Sequence, residues 1–487
     1  MSIKIYIRHI PVLINKHKVF FLIFCLTSVL FIGFLYRDPL SDWDECIYAE
    51  YAKEMKLTGN FWTYTWNGNP ILEKPPLYGW LMQIPYLWGI NEFTSRISSV
   101  IFSLGILTLI YFFASKYMSR KIALMAVLIY LASPTNLNYA VKVNTDIGFT
   151  FWLNLYAFLI IFSGRRLLTL SVAAFSLTLA TLHKGLSSLF FLSVMPVIDI
   201  YQRKKQVSSN FLLLFVIVFS LIIPWHIYQF LIWKNGFSNT YLTEHLFIRF
   251  FNNIFLHKNL FYYPVVLARD FFPWWMILVI FCYQYFRKEI KLSQFYEKYF
   301  PNVFLMTAIP GLFFMAARTQ VKWYLMPLYP LISILLAVIL NRYFLKMNLK
   351  LQTVIKILLI SNVIYSFLLI IQPFRFKKNV SPSTESFRYI NNLPQKSFNY
   401  LVESNYRQIY NKPPVRTIPA QFIYGEKPCS VFYSGKKVNL FYHPDEFAAA
   451  LETKSGLYLF SKSDKSLLGK ITLKYIFQNE DYGLILR

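Results

Sequence analysis

The segment KVFFLIFCLTSVLFIGFLY at residues 18–36 decides the fold class, because an apolar run of this length is able to cross a lipid bilayer. Basic residues precede it and no small-residue cleavage site follows, which is typical of an uncleaved signal anchor with its N-terminus inside. Of the 487 residues, 56% are hydrophobic and only 15% are charged, too few to cover a soluble protein of that size. The bulk of the chain is therefore predicted to lie in lipid.

Ten further apolar runs make eleven candidate membrane helices, at residues 96–114, 122–139, 147–163, 167–182, 185–199, 210–230, 264–286, 301–317, 323–341 and 353–372. The segment at 77–89 (LYGWLMQIPYLWG) is short for a crossing and contains Pro85. If it does not cross, the basic clusters between the spans fall on the cytoplasmic side, at 116–121, 165–166, 203–205, 287–288 and 342–346. Arg375, Lys377 and Lys378 depart from this pattern, because they follow the last span on the outer side, where a long translocated domain weakens the rule. We therefore predict an interfacial helix at 77–89 and a membrane all-α bundle of about 11 to 13 spans.

The remaining composition excludes several other classes of protein. A net charge of +27 would suggest nucleic acid in a soluble chain, but no basic motif interleaved with aromatic residues occurs, and basic cytoplasmic loops explain the charge. The four cysteines, Cys25, Cys46, Cys282 and Cys429, form no CxxC or other metal-ligand pattern. They predict nothing about redox chemistry.

Two segments remain outside the predicted spans. The loop at 37–75 holds seven of the 23 acidic residues, a concentration that indicates a function. The tail contains short β-rich runs (CSVFYS, KVNLFY, GLYLFS, YGLILR) and a helical stretch (HPDEFAAALE). We therefore expect a transmembrane domain at 1–372, with an external catalytic loop at 37–95, and a small soluble extracytoplasmic α/β domain at 373–487.

Acidic residues open a predicted helix in the loop. The sequence Ser41-Asp42-Trp43-Asp44 resembles a capping box that starts a helix at about 44–57, which we expect to lie on the membrane surface. Asp44 and Glu45 would occupy its first turn, where the helix dipole favours an ionised base. Asp44 is either such a base or only a helix cap.

Charged residues also lie beside prolines and at the outer ends of spans. Pro75 and Pro76 hold Glu73 and Lys74 at a defined point, where Lys74 either meets an anionic headgroup or snorkels to the interface. The end-of-span charges and those of the loop at 231–263 would together make one polar cavity at the outer face; they are Lys142, Asp146, His183, Lys184, Glu244, His245, Arg249, His257, Arg269, Asp270, Arg318 and Lys322.

The stretch DWDECIYAEYAKEM followed by GNFWTYTWNGNPILEKPPLYGWLMQIPYLWGINEFTSR resembles the first external loop of polytopic glycosyltransferases related to the aminoarabinose transferase of lipid A and the protein O-mannosyltransferases. The motifs VKVNTDIGF, LHKG, IPWH, EHLFIRF and KWYLMPLYP follow in that family's order. The resemblance covers about residues 37–335.

The resemblance implies a GT-C type bundle that moves a sugar from a polyprenyl-phosphate donor to an envelope acceptor at the outer face of the bacterial inner membrane. The acceptor would be a hydroxyl of lipid A, a glycan or a protein. The N-terminus would be cytoplasmic and the tail periplasmic. A phosphate leaving group needs no general acid, so one carboxylate would act as base and cations would offset the growing phosphate charge.

By similarity, Asp44 is the expected base and Asp146 a second carboxylate at the acceptor or donor sugar. Lys74 and Arg249 would bind the donor phosphate, with Tyr324 and Lys184 as further candidates, and Glu45 and Glu73 would complete the site. No cofactor is required by the resemblance, which allows a divalent metal ion at Glu73 and His245. Alternatively, His245 is a hydrogen-bonded interfacial histidine.

One residue departs from the family pattern, since His183 stands where many relatives have threonine or another small residue before Lys-Gly. Two other function classes also remain open. A secondary transporter should carry ionisable residues near the bilayer midplane, whereas the centres of these spans are almost free of charge. A catalytically silent protein that binds polyprenyl lipids would retain every motif residue.

Overall fold

The computed structural model describes residues 15–487 except 37, 165, 204–206, 253–260, 290–298, 372–379, 412–422 and 469–473. Several residues of the sequence predictions lie outside these described residues, namely Arg165, Lys204, Lys205, His257, Arg375, Lys377 and Lys378. The described chain is mostly helical, as the composition predicts.

The α-helices, in chain order, are α1 Lys18–Leu35, α2 Asp44–Thr58, α3 Leu77–Met82, α4 Glu92–Tyr117, α5 Arg120–Leu131, α6 Pro134–Ala140, α7 Asp146–Phe162, α8 Leu167–Lys184, α9 Val194–Tyr201, α10 Val207–Phe237, α11 Arg249–Phe251, α12 Tyr262–Asp270, α13 Trp275–Phe286, α14 Phe300–Ala316, α15 Tyr329–Lys346, α16 Leu349–Ile371, α17 Pro382–Asn391, α18 Ser404–Asn411, α19 Cys429–Ser434 and α20 Pro444–Thr453. Tighter 3₁₀ turns form Pro85–Trp88, Leu186–Ser193, Lys322–Leu328 and Lys462–Leu468, and Ser238–Ile248 is a π-helix.

Six helical stretches of the described residues are long and apolar enough to cross a membrane, and counting each of two bent helix pairs as one span raises the number to eight. The six stretches are Lys18–Leu35, Glu92–Tyr117, Leu167–Lys184, Ser209–Phe251, Lys322–Lys346 and Leu349–Leu369. All eleven predicted apolar runs fall on helical segments, three of them shorter helices of 10–17 residues. The protein is a multi-pass membrane protein, and the number of crossings stays a prediction.

Segment 77–89 forms only α3 and the 3₁₀ turn Pro85–Trp88. Six helical residues are far too short to cross a hydrocarbon core of about 30 Å. The end of the segment is exposed and apolar, with Leu87 and Trp88 the most accessible side chains there. These features agree with the predicted interfacial helix.

The chain divides into two compact units. One comprises Met1–Tyr36, Arg96–Pro224 and Lys258–Arg375, and the other comprises Arg37–Ser95, Trp225–His257 and Phe376–Arg487. The predicted division at residue 372 stays a prediction. We call the first the bundle unit and the second the loop-and-tail unit.

Apolar helices build the bundle unit, and polar bonds between them fix their register. In the hairpin of α7 and α8, the N-terminus of one helix lies beside the C-terminus of the other, and α7 also packs on the turn Lys322–Leu328. Trp274 donates to Asn362 at 2.9 Å, and Asn154 donates to the carbonyl of Pro327 at 2.9 Å. Such bonds connect helices where lipid offers no alternative partner.

The loop-and-tail unit contains the two sheets. Strands β1 (Tyr64–Trp66) and β2 (Asn69–Ile71) form an antiparallel hairpin. The tail sheet has the order β4-β3-β5-β7-β6, formed by β3 Ser397–Leu401, β4 Lys437–Phe441, β5 Leu457–Ser461, β6 Tyr475–Gln478 and β7 Tyr482–Leu486. Strands β3, β4 and β5 are parallel, whereas β7 pairs antiparallel with β5 and β6. The predicted small α/β domain is confirmed.

Three local predictions are wrong. CSVFYS forms helix α19 rather than a strand. The capping box is absent, because α2 begins after Trp43 without a side-chain cap and Ser41 instead donates to Glu45, through its backbone nitrogen at 3.0 Å and its hydroxyl at 2.8 Å. The predicted loop at 231–263 is largely helical where it is described, since α10 continues to Phe237 and passes directly into a π-helix.

Helix α2 is also buried on nearly all sides. Glu50 is paired with Lys53 at 3.0 Å, and Glu54 accepts from the backbone of Gly68 at 3.2 Å. Lys53 also donates to the carbonyls of Val431 and Phe432 in α19. Lys53 therefore holds the tail segment and Glu54 holds the turn between β1 and β2, contacts that the helical periodicity alone does not reveal.

A disulfide joins α2 to the tail within the loop-and-tail unit. Cys46 and Cys429 are bonded, with a Cα–Cα distance of 5.0 Å and a sequence separation of 383 residues. The other two cysteines, Cys25 and Cys282, are free. The cysteines were thus more informative than the absence of a motif suggested, because only this pair lies outside the predicted spans.

Candidate functional site

Asp44 lies at the N-terminus of α2, exposed in the first helical turn. The residue before it, Trp43, adopts a positive φ of 70°, a left-handed conformation that side chains other than glycine rarely adopt. Such strain costs on the order of 1–3 kcal/mol and clusters at functional sites. Asp44 therefore occupies an accessible, preorganised position where the free N–H groups of the helix favour a negative charge.

Glu73 and His245 are in direct contact within the loop-and-tail unit. Oε2 of Glu73 lies 2.9 Å from Nε2 of His245, and both side chains are almost inaccessible to solvent. His245 belongs to the π-helix Ser238–Ile248, a local widening of the helix that often occurs at functional sites. The contact thus joins the EKPP motif to the EH motif, two segments that are far apart in the sequence.

Two cations act on the same carboxylate. Burial opposes the ionisation of Glu73, but the His245 imidazole and the charges of Lys74 and Arg249 outweigh it, so that the pKa of Glu73 lies well below its ordinary value. Both cationic side chains are half-buried. Glu73, Lys74, His245 and Arg249, four of the predicted site residues, are therefore brought together by the fold.

Two tyrosines complete the surroundings of Glu73, and sequence reasoning missed both as site residues. The hydroxyl of Tyr51, on α2, donates to Oε1 of Glu73 at 3.2 Å, and it also bonds the hydroxyl of Tyr424 from the tail. Burial raises the pKa of both phenols well above the ordinary value. The next largest cause is the charge of Glu73 in the case of Tyr424, and the neighbouring Tyr424 in the case of Tyr51. Both therefore remain hydrogen-bond donors at neutral pH.

Asp44 and Glu45 differ in their surroundings although they are adjacent. The charge of Asp44 contributes to the raised pKa of Tyr424, after burial and Glu73, so Asp44 lies near this network. Glu45 is buried and accepts the two bonds from Ser41. Glu45 therefore supports the start of α2, whereas Asp44 remains accessible.

Asp146 and Lys184 form a second cluster, in the bundle unit. Asp146 lies in the first turn of α7, Lys184 ends α8, and their side chains are paired. The Lys184 ammonium lies 5.2 Å from the ring centres of Phe149 and of Tyr324. The fold thus brings together Asp146, Lys184 and Tyr324, in an arrangement typical of an ammonium held over aromatic faces.

His183, the departure from the family pattern, is fully buried against α7 and has an explanation in the structure. A Cβ atom at Gly148 would lie 2.3 Å from the His183 ring, so the imidazole fits only because residue 148 is glycine. Its ring also packs edge-on against Phe102, with the ring centres 5.5 Å apart. The larger side chain is thus accommodated by the neighbouring helix backbone.

Glu73 and His245 have the geometry of two metal ligands as well as that of a direct contact between a carboxylate and an imidazole. Ligand atoms on one octahedral cation are about 3 Å apart, and Nε2 of His245 is buried without a well-directed hydrogen bond. Among the described residues, only Asp42, Cys46 and Cys429 form a set of three or more such ligand atoms, and the sulfurs of that set are joined in a disulfide. The pair therefore fits a divalent ion whose other ligands are water or phosphate oxygens.

Residues 73–228 match the family model described as dolichyl-phosphate-mannose-protein mannosyltransferase. An uncharacterised protein of Aquifex aeolicus is 26% identical over 315 residues, which cover 62% of this chain and 60% of that protein. The undecaprenyl phosphate-alpha-4-amino-4-deoxy-L-arabinose arabinosyl transferase of Pectobacterium carotovorum is 27% identical over 329 residues, covering 63% of this chain and 57% of the transferase. The chain thus spans a little over half the length of that curated transferase.

The fold gives a more extensive match. The crystal structure of ArnT from Cupriavidus metallidurans bound to undecaprenyl phosphate superposes with a TM-score of 0.73 and 15% identity, covering 97% of this chain and 98% of that one. The predicted resemblance is therefore confirmed: the chain has the GT-C glycosyltransferase fold and is similar to the aminoarabinose transferases and protein mannosyltransferases.

Proposed function

We propose that this protein is an integral-membrane glycosyltransferase that moves a sugar from a polyprenyl-phosphate donor to a hydroxyl of an envelope acceptor, such as lipid A, a glycan or a protein. The observation that carries the proposal is the contact of Glu73 with His245, with Lys74 and Arg249 acting on the same carboxylate. Cations held in fixed positions at an almost dry site are what a phosphate leaving group requires. The relatives named for undecaprenyl-phosphate and dolichyl-phosphate donors support the donor class.

In the proposed reaction, the acceptor oxygen attacks the anomeric carbon of the donor sugar. A new carbon–oxygen bond forms as the bond to the phosphate oxygen breaks, and the electron pair leaves with polyprenyl phosphate. Asp44 accepts the proton of the acceptor hydroxyl, a role that suits an exposed carboxylate at a helix N-terminus. No general acid is needed, because the phosphate leaves as a stable anion.

Lys74 and Arg249 would bind the donor phosphate and offset the charge that grows on it. A divalent ion held by Glu73 and His245 would supply further positive charge to the same phosphate. Asp146 would contact a sugar or acceptor hydroxyl, with Lys184 and Tyr324 keeping its side chain in place. Because Lys184 is already paired with Asp146, we expect it to contribute less to phosphate binding than Lys74 does.

We place the loop-and-tail unit at the outer face of the inner membrane, with the N-terminus in the cytoplasm. The basic clusters between spans support this orientation. The Cys46–Cys429 disulfide supports it independently, because such bonds persist in oxidising compartments and are rare in the cytosol. The lipid-borne donor also fits a compartment without nucleotide sugars.

The orientation predicts that the disulfide is already formed in cells. When protein is extracted in the presence of a maleimide, the wild type should migrate differently with and without reductant on a gel. Cys46→Ser should abolish the difference, and Cys25→Ser, which alters a free cysteine in α1, should preserve it. A wild-type chain in which maleimide labels both Cys46 and Cys429 would contradict the outer placement.

Asp44→Asn should reduce sugar transfer at least a hundredfold, since general-base catalysis contributes about 10²–10⁴-fold. Transfer is measured with purified enzyme in detergent, a polyprenyl-phosphate sugar and extracted envelope acceptors, followed by mass spectrometry. Asp445→Asn is the matched control, because it removes an acid from the first turn of another helix, α20. Full activity of Asp44→Asn would exclude Asp44 as the base, and a wild type that binds the donor without transferring sugar would favour the silent lipid-binding protein.

Lys74→Ala should weaken the binding of polyprenyl phosphate about tenfold or more, because a charge-assisted hydrogen bond contributes roughly 1.5–3 kcal/mol. Binding is followed by titration of detergent-solubilised protein with the lipid. Lys74→Arg keeps the charge and should retain most of the affinity. If Lys74→Ala binds the lipid as tightly as the wild type does, Lys74 only snorkels to the interface.

Removal of divalent ions by a chelator should lower transfer, and added Mg²⁺ or Mn²⁺ should restore it. His245→Ala should weaken the binding of Mn²⁺, followed directly by its paramagnetic resonance signal. Full transfer by the chelated wild type would show that Glu73 and His245 only contact each other and hold no catalytic metal.

A further inference from the structure

The tail contributes a side chain to the environment of Glu73, although it carries none of the motifs. Tyr424 is buried, with 4% of its surface exposed, and its hydroxyl contacts that of Tyr51. The same hydroxyl lies 3.5 Å from Oε1 of Glu73, the oxygen that also accepts from Tyr51 at 3.2 Å. Each phenol has one proton, so Tyr424 donates to Tyr51 and Tyr51 donates to Oε1 of Glu73, while the other carboxylate oxygen faces His245.

The backbone around Tyr424 is held on several sides. The ring of Trp66, on β1, meets the Tyr424 ring edge-on with their centres 5.2 Å apart, and the Trp66 indole donates to the carbonyl of Pro428 at 3.4 Å. The next residue, Cys429, is bonded to Cys46 of α2, and its backbone nitrogen donates to Asp42 at 3.3 Å. The position of the Tyr424 hydroxyl is therefore determined by the same elements that bear the candidate site.

A carboxylate with two acceptor oxygens has rotational freedom about its terminal torsion, which is broad for Glu. The hydrogen bond from Tyr51 to one oxygen, with Tyr424 in turn donating to Tyr51, restricts that torsion and leaves the other oxygen toward His245. Tyr424 has no other polar contact in the described structure than these two partners. Its hydroxyl thus acts on Glu73 through Tyr51.

We propose that Tyr424 is a positioning residue for transfer, whose hydroxyl fixes Glu73 in the orientation that the site needs. The tail is then part of the catalytic unit rather than an appended domain. This inference rests on the proposed function, because it assigns a role in the same site. It extends that function by giving the tail a specific chemical contribution.

The test compares Tyr424→Phe with Tyr433→Phe in the full-length protein. Tyr433 belongs to the same tail segment, and its hydroxyl accepts from the backbone of Leu40 at 2.6 Å, so its loss also removes one phenol contact between the tail and the external loop. The control does not alter the surroundings of Glu73. In both variants, the Cys46–Cys429 disulfide on a non-reducing gel reports whether the tail is docked.

We expect Tyr424→Phe to lower kcat about tenfold with a change in the donor KM of less than twofold, because the hydroxyl orients Glu73 and does not touch the donor. Tyr433→Phe should keep kcat within about twofold of the wild type. In a Glu73→Gln background, Tyr424→Phe should lower kcat little further, since mutations of groups that act through one another do not have additive effects.

Equal losses of kcat in Tyr424→Phe and Tyr433→Phe would overturn the inference, as would an unchanged kcat in Tyr424→Phe or full additivity with Glu73→Gln. Loss of the disulfide in Tyr424→Phe would mean that the hydroxyl serves folding, and would likewise contradict a positioning role. These outcomes all require an active wild type. A wild type that transfers no sugar from any polyprenyl donor instead refutes the proposed function, and this inference with it.

Discussion

One buried carboxylate, that of Glu73, is stabilised by contacts from several parts of the loop-and-tail unit. An ionised group removed from water is costly unless charges and hydrogen bonds replace its hydration. Glu73 lies 2.9 Å from His245 in the π-helix and accepts a hydrogen bond from Tyr51 on α2, to which Tyr424 of the tail is bonded. Lys74 and Arg249 contribute charge. Four separate parts of the chain must therefore assemble before this carboxylate is satisfied.

The same requirement bears on the proposed binding of phosphate. The interactions that stabilise Glu73 also hold two cations near it in a site with little water, where electrostatic interactions are stronger than in bulk. A ligand anion that enters would share these cations with Glu73, so binding and folding use the same charges. In the bundle unit, the carboxylate of Asp146 is stabilised by elements that are close in the sequence, because the α7–α8 hairpin alone is enough to pair Asp146 with Lys184.

The difference between local and distant contacts explains what the sequence could predict. Apolar runs report their helices directly, and all eleven coincide with helical segments because hydrophobic length is a property of neighbouring residues. Pro75 and Pro76 likewise identify Glu73 and Lys74 as residues whose backbone is held at a defined point. By contrast, the burial of α2 and the helix formed by CSVFYS depend on packing between the loop and the tail, which overrides local preference.

Tyr424 lay beyond prediction for a related reason, since nothing in its neighbouring residues distinguishes it from the other 34 tyrosines. The cysteines did carry a signal, because Cys25 and Cys282 fall in apolar runs and leave Cys46 and Cys429 as the pair in external segments. A bond between them places the tail beside α2, and a tail held there must present some side chains to the EKPP loop. Distant covalent constraints of this kind reveal which remote segments can contribute to a site before any of their side chains is recognised.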